Sequence, residues 1–290
     1  MKRFVVLTDS ACDLPRGLAD KYDIDVMSFH IQVDGEEYAE REDLTPDSFY
    51  DLLDKAQGFP TTSQITSFAF LEKFKEYDAR GVDEVLYISI NSTGSATNGN
   101  AQAARAMFMD ECPDSKMQIA IVDSHTYSMG YGIFVVQAAR KLHNGAAMSD
   151  VVDYLIEKFK QVEIVLGVHS LKIIKKSGRI SAAAAFAGEL MGLRPIITLI
   201  QGDTRVEKKV RGDLKVLPTL KEWAETHMEE GAPYLIAGTR GTDDKNGDAR
   251  QLAKMMEKAV GYPPLTVFKL GAAVTSNTGT DAVAIVYLGK

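Results

Sequence analysis

The segment from Val85 to Asn100 constrains the fold of this chain more than any other stretch of its sequence. Val85–Ile90 is largely apolar and predicts a buried strand, and Asn91–Asn100 follows it with hydroxyls, amides and glycines. Ala101–Met107 then has a helix-forming composition. A strand, a loop and a helix in this order are typical of open α/β sheets, where ligands bind beyond the carboxyl ends of the strands. The loop therefore predicts a site for a small anionic or polar group; alternatively, its hydroxyls and amides only cap the helix.

The first half of the chain alternates strand patterns with helix patterns. The predicted strands are Arg3–Leu7, Val26–Val33, Val85–Ile90 and Gln118–Val122. The predicted helices are Pro15–Lys21, opened by Asp13, then Ser67–Tyr77 and Met129–Leu142, while Pro60–Gln64 is predicted as a loop. Asp34-Gly35 predicts a hairpin turn into a short returning strand. This alternation predicts a mainly parallel sheet with helices on both faces.

The second half has a different pattern, with paired strands beside helices. Its predicted elements are the strands Ile164–Val168 and Ala282–Leu288, the hairpin Pro195–Val210, a basic helix beginning at Leu171 and a small-residue helix at Ser181–Met191. They predict an α+β unit with a mixed sheet. Because 290 residues exceed the usual size of a single hydrophobic core, we expect two domains, residues 1–162 and residues 163–290.

Composition and cysteine usage narrow the class of protein. Hydrophobic residues make up 45% of the chain and charged residues 25%, as in ordinary globular proteins. No apolar run approaches the ~20 residues that a membrane-spanning helix needs, so we expect no stable membrane insertion. Cys12 and Cys112 are the only cysteines. Two isolated thiols form neither a disulfide framework nor a metal-binding pattern, which indicates a cytoplasmic protein with no metal site.

The charge is distributed unevenly along the chain. A net charge of -7 argues against a general nucleic-acid-binding protein. Between Val165 and Lys215, however, ten basic residues outnumber four acidic ones, so this segment carries +6 and the remainder -13. The segment is either a solvated helix face with a lysine-protected strand edge, or a docking surface for an anionic partner.

The sequence lacks the usual motifs of nucleotide-dependent and hydrolytic enzymes. It has no glycine-rich P-loop, no G-x-G-x-x-G after a strand, no H-E-x-x-H and no G-x-S-x-G nucleophile elbow. His125 follows Asp123-Ser124 and is either a catalytic base or a packing residue at a helix start. A hydrolase or another enzyme that uses Ser and His groups on a small acyl or polar ligand therefore remains the alternative function.

Several short segments, taken in order along the chain, resemble the DegV family of fatty-acid-binding proteins. The matching segments are Thr8–Pro15, Pro60–Gln64, Ser92–Ser95, Ile121–Ser124, Leu171–Ser181, Leu193–Ile196 and Lys208–Arg211. The family includes the FakB-type subunits, which carry an acyl chain for a fatty acid kinase. The resemblance extends over nearly the whole chain, and it depends on the order of the segments more than on any single motif.

The resemblance implies a specific function and a specific site. It implies two α/β domains with a long-chain fatty acid in a tunnel between them, closed by the C-terminal domain. The carboxylate would be bound by the hydroxyls of Thr62 and Thr93, with Ser63, Gly94 and Ser95 beside them. A partner kinase would phosphorylate the carboxylate, so the carrier would need neither catalytic residues nor a cofactor. The resemblance also implies a monomer.

The chain departs from the family pattern near its C-terminus. Thr275–Asp281 occupies the place of a Gly-Thr-His-Thr-Gly-Pro-Gly type turn, and Asn277 replaces the histidine of that turn. Asn277 and Thr278 are therefore further candidate ligands of the carboxylate, although an asparagine can never be cationic. Thr93 stands where the family more often has serine, and its hydroxyl is retained.

Simple energetics assign different roles to the two ends of such a ligand. Burial of an acyl chain yields about 0.8 kcal/mol per methylene, whereas a hydrogen bond to a charged group adds about 1.5–3 kcal/mol. The tail would therefore determine affinity, and the hydroxyls would determine orientation. Arg179 and Arg211, in the basic segment, are candidates for docking the kinase; alternatively, Arg179 forms a structural ion pair.

Overall fold

The computed structural model describes residues 3–170, 172–179, 192–240 and 242–290. The predicted helix Ser181–Met191 and the predicted helix start at Leu171 lie outside these residues. The strands are β1 (Phe4–Asp9), β2 (Ile24–Met27), β3 (His30–Val33), β4 (Glu36–Ala39), β5 (Thr61–Ser63), β6 (Glu84–Ser89), β7 (Gln118–Asp123), β8 (Val162–Val168), β9 (Leu193–Ile200), β10 (Asp203–Arg211), β11 (Leu235–Gly238), β12 (Val267–Lys269) and β13 (Ala282–Leu288). The helices are α1 (Arg16–Lys21), α2 (Pro46–Lys55), α3 (Ser67–Ala79), α4 (Thr97–Glu111), α5 (Met129–His143), α6 (Met148–Phe159), α7 (Lys172–Ser177), α8 (Val216–His227), α9 (Asp248–Val260) and α10 (Ala272–Thr278).

The N-terminal half contains a parallel sheet of the predicted kind. Strands β2, β1, β6 and β7 lie side by side in this order, and every neighbouring pair is parallel. Consecutive residues of β6 from Val85 to Ile88 are all buried, so both faces of the sheet are covered. The prediction of a mainly parallel sheet is therefore confirmed. Helix α4 begins at Thr97, earlier than predicted, and the polar loop is correspondingly shorter.

A small antiparallel sheet lies beside the parallel one and corrects two predictions. Strands β4, β3 and β5 form this sheet, in which Ile31 lies opposite Thr62. The predicted loop Pro60–Gln64 is thus partly a strand, because a hydroxyl-rich run has strand propensity that pairing with β3 can use. The single run predicted at Val26–Val33 is also wrong, since β2 and β3 belong to different sheets.

The C-terminal half contains the predicted mixed sheet. Its six strands lie in the order β10, β9, β8, β13, β11, β12. Side chains of β13 alternate between the faces: Val283 and Ile285 pack in a core with α8 and α9, whereas Ala284 and Val286 point to the opposite side. The predicted division at residue 162 lies at the first residue of β8, and the assignment of two domains remains a prediction.

Helix α10 replaces the turn expected at Thr275–Asp281. The family pattern implied a turn here, but Ala272, Ala273, Thr275 and Ser276 are buried in a helix. The hydroxyl of Ser276 donates to the Ala272 carbonyl at 2.7 Å, which adapts a polar side chain to a helical position. The helix stops at Gly279, whose φ of +88° ends the helical backbone.

A buried carboxylate at the end of β1 connects three elements of the N-terminal half. Asp9 accepts hydrogen bonds from Tyr131 Oη of α5 at 2.6 Å, from Tyr87 Oη of β6 at 2.9 Å and from the Ile90 amide at 3.0 Å. Burial disfavours its charged form and raises the pKa of Asp9 from 3.8 to about 6, although the hydrogen bonds act in the opposite direction. Asp9 thereby holds the backbone just before the polar loop.

Two further carboxylates hold the start of α10. Asp13 accepts from the Gly271 amide at 2.9 Å, and Glu40 accepts from the Ala273 amide at 2.9 Å and from Ser10 Oγ at 2.5 Å. Negative charge is favourable at a helix N-terminus, where backbone amides lack helical partners. Loss of hydration raises the pKa of both carboxyls. Asp13 therefore does not open α1 as predicted, because it is turned towards α10.

Substitution of Gly167 tests how closely the six-stranded sheet packs on α8. A Cβ at Gly167 would lie 2.4 Å from Val216 Cγ1, so Gly167→Ala should destabilise the fold by about 1–3 kcal/mol in chemical denaturation. Gly17→Ala is the matched control, because Gly17 is exposed in α1 with nothing within 4 Å of its added Cβ. It should be neutral or stabilising by about 0.5–1 kcal/mol. Equal effects of the two substitutions would contradict the close packing.

Substitution of Asp9 tests the raised pKa of this carboxyl. Between the unfolded pKa near 3.8 and the folded pKa of about 6, the native state holds the proton more tightly, so stability falls as the pH rises. The unfolding free energy of Asp9→Asn minus that of the wild type should therefore increase by about 3 kcal/mol across this interval and stay flat above it.

Denaturant unfolding at a series of pH values measures this difference for Asp9. The exposed Asp114→Asn serves as control and should follow the wild type throughout. A difference that is constant with pH, or that decreases as the pH rises, would show that burial does not raise the Asp9 pKa.

Candidate functional site

A cavity of about 670 Å³ lies between the carboxyl edge of the parallel sheet and one face of the six-stranded sheet. This volume is in the usual range for sites that bind small molecules and cofactors. Residues of both halves of the chain line it, from Ala11 near the N-terminus to Val286 in the last strand. The cavity is thus formed by segments that are far apart in the sequence.

One side of the cavity is an apolar wall. It is provided by the face of the six-stranded sheet that α8 and α9 do not cover, and its residues are Ile164, Leu166, Leu199, Ala237, Ala284 and Val286. Ala237 and Ala284 lie directly opposite each other on β11 and β13. Their small side chains leave space next to the sheet, which suits an extended apolar ligand.

The polar end of the cavity brings together most of the sequence-predicted site residues. Those that line it are Thr62, Thr93, Gly94, Ser95, Asn277 and Thr278. They come from β5, from the loop after β6 and from the last turn of α10. Ser63 is exposed and does not line the cavity, because successive side chains of a strand point to opposite sides.

The two threonine hydroxyls differ in their hydrogen bonds. Among the residues that the structure describes, Thr62 Oγ1 has no hydrogen-bond partner, so it can donate to a ligand. Thr93 Oγ1 lies 2.9 Å from the Gly202 carbonyl and 3.1 Å from Asn91 Oδ1, both of which can only accept. A carboxylate at Thr93 would therefore compete with these acceptors for the single hydroxyl proton.

The backbone of the polar loop is largely satisfied internally. The Thr93 amide donates to Asn91 Oδ1 at 3.2 Å, and the amides of Gly94 and Ser95 both donate to the Asn91 carbonyl at 3.2 Å. Ser95 Oγ also lies 2.9 Å from Thr97 Oγ1 at the start of α4. The loop therefore presents side-chain hydroxyls to a ligand, and its backbone amides mainly keep its shape.

Tyr127 lines the cavity and Asn91 supports the polar loop beside it, and the sequence did not single out either as a site residue. Asn91 Nδ2 lies 3.0 Å from the Gly202 carbonyl and 3.2 Å from Tyr127 Oη, so it connects the loop to the turn between β9 and β10. A Cβ at Gly94 would lie 1.8 Å from Tyr127 Oη, which explains the glycine. Burial raises the pKa of Tyr127, so its hydroxyl stays protonated. Asn91 could have been identified from the sequence, because it directly follows a predicted buried strand. No sequence feature indicated Tyr127.

The side chains of α10 at the cavity are partly bonded within the helix. Asn277 Nδ2 donates to the Ala273 carbonyl at 2.9 Å, and Thr278 Oγ1 donates to the Val274 carbonyl at 3.2 Å. An amide nitrogen has two protons, so Asn277 keeps one for another acceptor. Asn277 can therefore act as a neutral donor at the head-group end of the cavity.

The two arginines proposed for docking have different positions. Arg179 lines the cavity, and its guanidinium donates to the Ser177 carbonyl at 2.7 Å. Within the described part of the chain it forms no ion pair, so the structural alternative for Arg179 is not observed there. Arg211 is exposed at the end of β10 and does not line the cavity.

The groups of the alternative hydrolase are not assembled at the cavity. His125 is exposed, with Nδ1 at 3.3 Å from Asp123 Oδ2, so it does not pack at a helix start. Ser124 Oγ is buried and lies 3.2 Å from the Thr126 carbonyl, to which it donates. Burial also raises the pKa of the Cys12 thiol, which disfavours a reactive thiolate. The described residues that line the cavity include no histidine or cysteine.

Metal-binding groups and membrane-spanning helices are both absent from the described residues. In these ranges no group of three or more His, Cys, Asp or Glu side chains is placed to hold a metal ion. None of the helices in these ranges has the length and apolar character required to cross a membrane.

Sequence comparison finds relatives of this chain along its whole length. The sequence model described as "Uncharacterised protein, DegV family" matches residues 3–290. A DegV domain-containing protein of Clostridium perfringens is 30% identical over 292 residues, which cover 100% of this chain and 98% of that protein.

Two solved structures are similar to this chain in fold. A fatty acid binding DegV family protein from Streptococcus agalactiae has a TM-score of 0.87 and 26% identity, with 100% of both chains covered. A DegV family protein from Thermus thermophilus, described by its fatty acid binding, has a TM-score of 0.82 and 26% identity, with 99% of both chains covered. The present chain therefore belongs to the DegV family.

Proposed function

We propose that this protein binds a long-chain fatty acid in the cavity and presents its carboxylate to a partner fatty acid kinase. The observation that carries the proposal is one cavity with an apolar wall along the six-stranded sheet and a group of hydroxyls at its other end. The fatty acid binding of the Streptococcus agalactiae and Thermus thermophilus relatives supports the same ligand class.

The apolar wall supplies most of the binding free energy in this proposal. Each methylene removed from water contributes about 0.8 kcal/mol, so a long tail exceeds the contribution of any single hydrogen bond. Ile164, Leu166 and Leu199 would contact the tail directly. A short acid with the same head group would bind weakly.

The polar end orients the ligand in this proposal. Thr62 Oγ1 is available to donate to one carboxylate oxygen, and Thr93 would exchange its present acceptor for the ligand. Neutral donors bind a carboxylate without the bidentate grip of an arginine, which leaves an oxygen able to attack a phosphate. Arg179 at the same end would favour an anionic head group by its charge.

The proposal treats the protein as a carrier without catalytic residues of its own. In this proposal the protein is a monomer that needs no cofactor. It is also cytoplasmic, in keeping with its two isolated thiols. The alternative is a hydrolase that acts through Ser or His groups on an acyl ligand. The separation of Ser124 and His125 from the cavity favours the carrier.

Native mass spectrometry and lipid extraction test ligand binding, and both should reveal a fatty acid bound to the purified protein.

Substitution tests the head-group residues. The double variant Thr62→Ala with Thr93→Ala should weaken fatty acid binding about tenfold, because it removes hydrogen bonds to a charged group. Fluorescent fatty acid titration measures the change in affinity.

A neighbouring hydroxyl provides the control for this experiment. Thr61 is an exposed residue of the same strand, β5, and it does not line the cavity. The Thr61→Ala variant should therefore bind fatty acid with the affinity of the wild type. Unchanged affinity in the double variant would contradict the head-group assignment. A protein that retains no fatty acid but hydrolyses esters with sensitivity to serine-directed inhibitors would support the alternative function.

The basic segment is tested by charge reversal. If Arg179 and Arg211 dock the kinase, Arg179→Glu with Arg211→Glu should reduce acyl phosphate formation by the partner kinase at least about tenfold, since like charges replace attraction. Arg211→Glu alone should still load fatty acid, because Arg211 does not line the cavity. Arg16→Glu, an exposed reversal in α1, is the control for net charge. Unchanged acyl phosphate formation in the double variant would exclude docking through these arginines.

A further inference from the structure

A second, smaller cavity continues along the same face of the six-stranded sheet. Its volume is about 210 Å³, and it lies between the sheet and the helices α5 and α6. The residues that form its sheet side are Val162, Leu235, Val286 and Leu288. Val286 is the residue that also lines the main cavity.

The register of the strands shows how the two cavities are related. Leu166, Ala284 and Ala237 lie opposite one another on β8, β13 and β11, and all three line the main cavity. Two residues further along the strands lies the next row, formed by Ile164, Val286 and Leu235.

This second row marks the boundary between the cavities. Ile164 lines the main cavity, Leu235 lines the second, and Val286 in the centre lines both. The following row, Val162 and Leu288, belongs to the second cavity alone. One row advances by ~6.6 Å along a strand, so the cavities are consecutive sections of one apolar strip.

The groups around the second cavity indicate what it can accept. Ile133 and Phe134 of α5 face the sheet residues across it, so its interior is mainly apolar. Three polar side chains also line it: the Tyr154 hydroxyl donates to Gln137 Oε1, and Lys158 Nζ donates to Gln161 Oε1 at 2.9 Å. Because these polar groups already have partners within the protein, the second cavity suits a hydrocarbon end better than a polar ligand.

We propose that the second cavity is a distal compartment for the methyl end of the acyl chain, and that Val286 is the partition that limits chain length. This inference rests on the proposed fatty acid ligand and adds the residue that selects it. Val286 is 3% exposed and lines both spaces, so its size sets the width of the passage between them. In this proposal Val286 narrows the passage without closing it, so a smaller residue would admit longer chains more readily and a larger residue would block them.

The experiment loads purified protein with an equimolar mixture of saturated straight-chain fatty acids of graded length. The bound acids are then extracted and quantified by mass spectrometry. Val286→Ala should enrich the longest acids over the shortest by roughly tenfold relative to the wild type, and Val286→Phe should deplete them by a similar factor. Leu235→Phe, which narrows the second cavity alone, should also deplete the longest acids while retaining the shorter ones.

A matched control separates chain selection from loss of stability. Val283→Ala removes the same two methyl groups from the same strand, but Val283 faces the core formed with α8 and α9. Its chain-length profile should equal that of the wild type, and thermal unfolding shows which variants are folded.

The possible failures of the two proposals are distinguishable. If the wild type and all variants bind no fatty acid, the proposed function is wrong, and so is the role proposed for Val286. If the wild type loads fatty acids but the folded Val286 and Leu235 variants keep its profile, the partition is wrong and the carrier function stands. A shifted profile in Val283→Ala equal to that of Val286→Ala would also overturn the assignment, because the effect would not depend on the cavity face.

Discussion

The six-stranded sheet has two apolar faces, and α8 and α9 cover only one of them. A second uncovered apolar face is unfavourable in water, so the chain folds its N-terminal half over it. One hydrophobic cluster accordingly includes Val6 and Leu7 of β1 together with Ala284 and Val286 of β13. Where the two halves do not fill the space between them, the apolar cavity results. The same uncovered face therefore accounts for the architecture and for the wall that would hold a ligand.

The polar end of the cavity depends on contacts between distant segments. Asp13 and Glu40 bind the start of α10, and the other end of that short helix carries Asn277 to the cavity. Asn91 connects the loop after β6 to Gly202 in the β9–β10 turn. These hydrogen bonds place neutral donors at one end of an apolar space. That arrangement is the physical basis for proposing an acid with a long tail, and for locating chain selection at the opposite end.

Much of the fold could be predicted from local patterns. β13 was predicted at its observed residues, and the hairpin around Gln201-Gly202 was also predicted, because alternation and turn chemistry are local. The strand at Thr61–Ser63 was wrongly predicted as a loop, since its composition suits both, and the turn that the family pattern implied at Thr275–Asp281 is partly helix α10. Pairing with β3 and two remote carboxylates decide those segments. Propensity is a weak influence when tertiary partners are available.

For the site, the chain order of motifs was sufficient to indicate the family and to select Thr62, Thr93 and Asn277, which the fold brings to one cavity. Those selections came from matching the family's motifs to positions of this sequence, because local residue patterns alone left the loop after the predicted strand either a binding site or a helix cap. The tertiary structure alone decided that Ser63 points away, that Thr93 already has protein acceptors, and that Val286 stands between two apolar spaces. The reason is physical: which residues share a face follows from strand register and packing between remote segments, and neither is encoded in a local pattern.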